Sequence, residues 1–267
     1  MSKEVLIIIP AYNEAQNIAA VLDQLETAEI SAIADVLVMN DASNDGTNWI
    51  VKNRGHKVVS HVFNLGYGSA IQLGYKFAVR RNYRYVIQMD ADGQHDVCNV
   101  MSIYKALKTP DDEGRYPDIV IGSRFLNGDW SSYPVGGLKK FAIRFFRSMI
   151  RHRCGQQIWD PTSGLQGLSF DAFLYYSIYN HFDDRYPDAN MILQMELLDY
   201  KIVEIPAVMH IRKAGESMHS GLKPIYYMMR MFFSMLAVDY RFRILKEGRG
   251  VIKNGDIWQE GMGAKVK

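Results

Sequence analysis

The sequence contains only two cysteines, Cys98 and Cys154, among 267 residues. That is too few for a disulfide framework or a cysteine-based zinc site, and it points to a reducing, cytoplasmic or cytoplasm-facing setting. No apolar run reaches the ~20 residues needed to span a bilayer. The nearest, residues 224–238, is interrupted by Arg230. Near the N-terminus, the apolar run of residues 5–9 stops at Pro10, far short of a signal-peptide core. The expectation is a soluble or peripheral chain. Neither sign of charge dominates: 31 Lys and Arg oppose 29 Asp and Glu, a net of +2 that gives no reason to expect a nucleic-acid partner. Internal repeats and low-complexity tracts are missing too. What is present, 48% hydrophobic and 22% charged residues, describes a folded globular chain.

Short β-branched runs at residues 5–9, 36–39, 58–62, 85–89 and 119–121 are expected to be buried strands. Helical patterns fall between them at 15–27, 47–53, 69–81 and 97–108. This alternation predicts an α/β fold with a mostly parallel central sheet and helices on both faces. Ligands of such sheets bind beyond the carboxyl ends of the strands, and there the polar residues gather. The first strand runs into Pro10-Ala11-Tyr12-Asn13-Glu14 and the second into Asn40-Asp41-Ala42-Ser43-Asn44-Asp45-Gly46-Thr47. The fourth runs into Asp90-Ala91-Asp92-Gly93-Gln94-His95 and the fifth into Gly122-Ser123-Arg124. No Gly-x-Gly-x-x-Gly follows the first strand, which excludes the dinucleotide site of a dehydrogenase.

Asp90 and Asp92 lie two apart at a strand end, so both carboxylates are expected on one side, where a hard divalent cation (Mg²⁺ or Mn²⁺) would offset their repulsion. Such an ion neutralises a departing diphosphate. Asp41 also closes a strand. Its carboxylate is placed to accept an N–H from a uracil base or bind a ribose hydroxyl, or alternatively to cap the helix that starts at Thr47.

These motifs, with Asn64-Leu65-Gly66-Tyr67-Gly68, Ile121-Gly122-Ser123-Arg124-Phe125, Asp160-Pro161-Thr162-Ser163-Gly164-Leu165-Gln166 and Ile202-Val203-Glu204-Ile205-Pro206, follow the order and spacing of glycosyltransferase family 2. Over roughly residues 4–240 the chain resembles its dolichyl-phosphate mannose synthase branch, whose bacterial members glycosylate polyprenyl phosphates. The resemblance implies a GT-A type nucleotide-diphospho-sugar transferase fold over residues 1–220, with an amphipathic helix and tail over 221–267. It implies inverting transfer from a UDP- or GDP-linked sugar to polyprenyl phosphate, or alternatively to a sugar hydroxyl of a growing surface polysaccharide. Pro10, Tyr12, Glu14 and Asp41 match the nucleotide-binding positions, Asp90 and Asp92 the metal and diphosphate motif, and Gln94 stands beside them. Arg124 matches an arginine facing phosphates, and Arg212 a basic loop that closes over the donor. A non-catalytic nucleotide-sugar-binding scaffold is the alternative from another class, and intact Asp90, Asp92 and Arg124 argue against it. Tyr67 stands where many relatives have lysine, and Asn40 where they often have aspartate.

The second half carries two amphipathic helix candidates, residues 138–153 and 222–241. On the first, Lys140, Arg144, Arg147 and Arg151 share a face opposite Leu138, Phe141, Phe145 and Phe146, a pattern that suits an anionic membrane surface. On the second, Met229, Phe232, Met235 and Leu236 form a stripe suited to the bilayer or to a small membrane-protein partner. Together they imply a peripheral position on the cytoplasmic face of the membrane. If the acceptor is a hydroxyl it needs a base, for which Asp160 is the first candidate and Asp188 the second.

Overall fold

The computed structural model describes residues 3–131, 133, 135–210 and 223–246, with the side chains of 223–225 excepted. The boundary expected near residue 220, the tail beyond 246 and Arg212 lie outside these residues.

Seven strands form one sheet: β1 (Val5–Ala11), β2 (Ala34–Asn40), β3 (Lys57–Ser60), β4 (Tyr85–Gln88), β5 (Ile119–Ser123), β6 (Gln166–Ser169) and β7 (Ile202–Pro206). Their order is β3-β2-β1-β4-β6-β5-β7. All neighbours pair in parallel except β6, which is antiparallel to both β4 and β5. The reason is visible in β1, all seven of whose residues are buried. Leu6 and Ile8 face one core cluster, while Val5, Ile7 and Ile9 face the other. A strand buried on both faces has no polar side to alternate, so it reads as a continuous apolar run. Each such Leu or Ile contributes roughly 1.5–3 kcal/mol on burial.

The helices are α1 (Ile18–Leu25), α2 (Ala28–Ile33), α3 (Thr47–Asn53), α4 (Tyr67–Arg80), α5 (Cys98–Leu107), α6 (Gly137–Cys154), α7 (Phe170–Ser177), α8 (Ala189–Leu197) and α9 (Lys223–Arg243). α1 and α5 cover one face through Ile18, Val21, Leu22, Val100 and Ile103. The other face is covered by α4, α6, α7, α8 and α9, with Met231, Met235, Val238 and Phe242 of α9 in that cluster.

Three expectations differ from what forms. The helix expected over residues 15–27 spans only Ile18–Leu25, and a separate helix follows it, because Thr27 takes an extended backbone and its hydroxyl accepts from Ile30 N to start α2. The third strand stops at Ser60 rather than running to residue 62, and Val62 and Phe63 are exposed. β6, Gln-Gly-Leu-Ser, has no apolar run to announce it; it is a strand because β4 and β5 pair with it on either side.

The start of α4 fixes the floor of the site. A Cβ on Gly68 would lie 2.0 Å from the Asp183 carbonyl oxygen, and Ser69 N donates to the Asp184 carbonyl at 2.9 Å. Backbone meets backbone there, so neither side can yield. Gly68→Ala should lower stability by about 1–3 kcal/mol, read as an earlier urea midpoint; an unchanged midpoint would mean that the 183–184 loop moves freely.

Candidate active site

At the carboxyl end of β1 and β2 two loops are stitched together. Asn13 N donates to Ser43 Oγ at 3.0 Å, Asn44 N to Asn13 Oδ1 at 3.0 Å and Glu14 N to Thr47 Oγ1 at 2.9 Å. Pro10 is buried at the end of β1, so the chain leaves the sheet with Tyr12 presented outward at 47% exposure. Glu14 is turned toward Asn17, whose Nδ2 donates to Glu14 Oε2 at 2.7 Å.

Asp41 is buried and its carboxylate is already engaged. Oδ1 accepts from Leu65 N at 2.9 Å and lies 2.7 Å from His61 Nδ1, while Oδ2 accepts from Gly66 N at 2.8 Å. It pins the 61–66 loop. α3 starts from Gly46 with no side-chain cap, and among the described residues the Asp41 carboxylate bonds only the 61–66 loop, so the capping alternative for Asp41 is overturned.

The acidic motif differs from its expected geometry as well. β4 ends at Gln88, and Asp90 to Asp92 form a turn, so the pleat does not set their common side. Asp90 is held first by Tyr67, whose hydroxyl donates to Oδ1 at 2.8 Å, and then by His95 Nε2, 3.2 Å from Oδ2. Burial raises its carboxyl, but His95, Tyr67 and the Arg124 charge outweigh burial and hold it below the ordinary carboxylate value. Gly164 passes so close that a Cβ would sit 2.7 Å from Asp90 Oδ2 and 3.1 Å from the Tyr67 hydroxyl. Asp92 is partly exposed, and its Oδ1 accepts from Gln94 N at 3.0 Å, closing the turn. Gln94 Nε2 donates to the Tyr133 hydroxyl at 2.7 Å, tying this turn to the loop after β5.

Arg124 and Asp160 form the most buried ion pair of the site. Arg124 donates from N (2.9 Å) and Nε (2.7 Å) to Asp160 Oδ2, and from Nη2 to Oδ1 (2.7 Å). The same Nη2 donates to the Thr162 carbonyl at 2.9 Å. Asp160 N in turn donates to Glu204 Oε1 at 2.7 Å, and Trp159 N to Glu204 Oε2 at 2.5 Å. Asp160 is fully buried. Burial works against its charge, yet the Arg124 guanidinium holds the carboxyl below the ordinary value. A carboxylate so paired is a poor proton acceptor. Arg124 also lines a cavity of about 300 Å³ with Tyr133, Ala207, Val208 and Met209.

Asp188 is the contrasting acid. It precedes α8, but its side chain makes no cap; it accepts from the Tyr227 hydroxyl of α9 at 2.7 Å. Burial pushes its carboxyl up to about 6, with the nearby Asp90 and Asp183 charges adding to the rise.

Along α6 the expected basic face is split. Arg147 is buried, with its guanidinium 4.6 Å from the Trp130 ring centre and 5.6 Å from that of Trp159. Lys140 lies 4.8 Å from the same Trp130 ring. Trp130 also stacks on Phe125 at 4.4 Å, so cation–π contacts draw Arg147 into the interior. No role for Tyr67, His95 or Glu204 is legible in the sequence, although all three lie in the motifs that carry the resemblance, and Tyr227 is not singled out there. The signal for Tyr67 is its place between two glycines where many relatives have lysine, and Tyr227 comes from a helix far along the chain.

The chain from residue 6 to residue 176 matches the family model described as glycosyl transferase family 2. It belongs to glycosyl transferase family 2. Within that family it is 30% identical over 225 residues to an undecaprenyl-phosphate mannosyltransferase of Micrococcus luteus, covering 81% of this chain and 88% of that one. It is 27% identical to a dolichol-phosphate mannosyltransferase of Pyrococcus furiosus, covering 96% of this chain and 72% of that one. The match to other relatives covers less of them, as little as 47% of one. In structure it resembles glucosyl-3-phosphoglycerate synthase of Mycobacterium tuberculosis, solved with Mn²⁺ and UDP, at a TM-score of 0.65 and 18% identity over 89% of this chain and 80% of that one. The family 2 chain therefore has the GT-A glycosyltransferase fold, and it is a glycosyltransferase. Among the described residues no helix is long and apolar enough to cross a membrane.

Proposed function

We propose that the chain transfers one sugar, with inversion, from a UDP- or GDP-linked donor to a polyprenyl phosphate. The observation that carries this reading is the Arg124–Asp160 pair beside Asp90. It presents a guanidinium, locked in orientation, next to an acidic turn at the carboxyl ends of the strands. Pro10 and Glu14 shape the loop that leaves β1, and Tyr12 offers an exposed ring for the nucleotide base. Asp41 supports that site by fixing the 61–66 loop. Asp90 and Asp92 would hold a divalent cation. Among the described residues no group of three or more His, Cys, Asp or Glu is arranged to hold a metal ion, so Mg²⁺ or Mn²⁺ would take its remaining ligands from diphosphate oxygens and water. When bound, that ion neutralises charge on the departing diphosphate. Gln94 holds the turn of Asp92 against Tyr133, and Arg124 stabilises the phosphates from the other side. Arg212, which the resemblance assigns to a loop that closes over the donor, would add a cation to the diphosphate. An acceptor phosphate is already anionic and attacks without a base. The polyprenyl phosphate places the enzyme peripherally on the cytoplasmic face of the membrane, alone or with a small membrane-protein partner.

The test is release of nucleoside diphosphate from a panel of UDP-, GDP- and dTDP-sugars with Mn²⁺ or Mg²⁺, with and without a short-chain polyprenyl phosphate. Turnover that needs one donor, the metal and the lipid supports the reading. Donor hydrolysis indifferent to the lipid would sink it.

Asp188 favours a second reading, a sugar-hydroxyl acceptor, because a carboxyl raised to about 6 is suited to general-base work near neutral pH. The two readings separate on Asp188→Asn. With a phosphate acceptor kcat should fall less than about tenfold and the profile between pH 5 and 7 should be unchanged. With a hydroxyl acceptor kcat should fall about 10²–10⁴-fold and the rising limb near pH 6 should vanish. Stability gives an independent check. A carboxyl raised on folding weakens the fold as pH climbs from its ordinary value of 3.8 to about 6, so Asp188→Asn should gain stability above pH 6 and not below pH 4.

A further inference from the structure

α4 begins without a cap of its own. Its N-cap is Gly66, which has no side chain to accept from the first turn. The Ser69 amide, one of the donors that a helix start leaves unpaired, goes instead to the Asp184 carbonyl at 2.9 Å, 115 residues along the chain. The Asp183 carbonyl lies over Gly68, where even a Cβ would come within 2.0 Å of it. The 183–184 backbone therefore sets where α4 starts. The first residue of α4 is Tyr67, whose hydroxyl donates to Asp90 Oδ1 at 2.8 Å.

That backbone is fixed in turn by one carboxylate. Asp183 Oδ1 accepts from Arg185 N at 2.9 Å and from Tyr186 N at 3.0 Å, which closes the loop on itself. Its Oδ2 accepts from Asn190 Nδ2 of α8 at 2.9 Å, and the same Nδ2 donates to Ser234 Oγ of α9 at 2.8 Å. Arg230 of α9 stands 3.7 Å from Asp183 Oδ1 and 3.7 Å from Asp184 Oδ1. Asn190 is only 1% exposed, so its bonds are shielded from water and strengthened by that shielding. Its Oδ1 accepts from Asp188 N at 3.0 Å and Met191 N at 2.9 Å, which fixes the orientation of its amide.

We propose that Asp183 is a positioning residue for Asp90. Its carboxylate ties the 183–184 backbone to α8 and α9, that backbone seats α4, and Tyr67 at the head of α4 aims the acid. The seating of α9 thereby governs how well Asp90 and Asp92 hold a divalent cation. The inference rests on the reading that these two acids bind the metal of the donor diphosphate. Displacement passes along this route because each step is a close contact: backbone on backbone at Gly68, then a hydrogen bond from Tyr67 to the acid.

The test is the Mn²⁺ affinity of the full chain, read from the paramagnetic signal of the free ion, with a urea midpoint for each variant. Asp183→Asn sets a second amide against Asn190 and should weaken Mn²⁺ binding on the order of tenfold in folded protein. The exchange Asp183→Asn with Asn190→Asp again sets one donor against one acceptor, and should bring the affinity back to within about twofold of the parent. Tyr67→Phe cuts the last step of the route. It should weaken Mn²⁺ binding by itself, and adding Asp183→Asn to it should cause no further loss. Losses that multiply in that double variant would overturn the proposal, because Asp183 would then act by another route. An exchange variant that regains the parent's urea midpoint but not its affinity would overturn it too. Parent-like affinity in Asp183→Asn would overturn this inference alone, whereas a parent that binds no Mn²⁺ would overturn the metal reading and the inference together.

Discussion

Asp160→Ala should lower the stability of the fold by about 3–5 kcal/mol, more than any other single substitution at the site. The residue is fully buried and accepts three hydrogen bonds from Arg124, so its removal leaves a guanidinium with its charge uncompensated away from water. The sign follows from the direction of its shift. A carboxyl held below its ordinary 3.8 stabilises the fold above that pH, and the contribution is lost as pH falls through the lower, folded value. Acid unfolding of the parent should therefore reflect this pair, and the alanine variant should be less sensitive below pH 4. Removing both charges distinguishes structure from function. Arg124→Met with Asp160→Leu should recover most of the lost stability, because two apolar groups of similar volume leave nothing uncompensated. Turnover should not return, because the guanidinium proposed to face the diphosphate is gone. Urea denaturation across pH and nucleoside diphosphate release measure the two effects. An alanine variant within about 1 kcal/mol of the parent would show that water reaches the pair.

Asp90→Asn should leave the fold nearly intact and reduce kcat by about 10²–10³. An amide can still accept from the Tyr67 hydroxyl, so the hydrogen bond that seats it at 2.8 Å survives in kind. What is lost is the negative charge that, in the proposed reading, holds a divalent cation. Mn²⁺ binding, followed by the paramagnetic signal of the free ion, should weaken at least tenfold in this variant and in Asp92→Asn, and chelation should abolish turnover in the parent. Unchanged Mn²⁺ affinity in both variants would move the cation elsewhere. Gly164→Ala approaches the same group by crowding: its Cβ would fall 2.7 Å from Asp90 Oδ2, so Asp90 or Tyr67 must shift. A smaller loss, on the order of tenfold in kcat with Mn²⁺ affinity also reduced, is expected, since misplacement of the carboxylate acts on binding and chemistry together.

The parallel part of the sheet was legible in the sequence because strands buried on both faces must be apolar throughout, as residues 5–9 and 119–121 are. The acidic turn was legible because carboxylates rarely follow a buried strand without a task. The same logic failed for β6, whose Gln166 and Gly167 carry no apolar signal and which is a strand only because β4 and β5 flank it. It misjudged Arg147 as well: a helical wheel sorts residues by angle and cannot know that Trp130, arriving from another loop, will stack against a cation on the supposedly solvent face.

By itself the sequence determined the mostly parallel direction of the sheet, the edge at which polar and acidic residues gather and the residue types placed there, because those follow from local patterning and strand order. Only the tertiary structure decided what each acid does. Asp41 pins a loop and Asp160 orients an arginine because their partners His61 and Arg124 stand 20 and 36 residues away along the chain. Asp188 has its carboxyl raised because folding buries it near Asp90 and Asp183, against the opposing hydrogen bond from Tyr227, 39 residues away. A carboxylate's pKa and role come from what surrounds it in space, and folding alone brings those groups together.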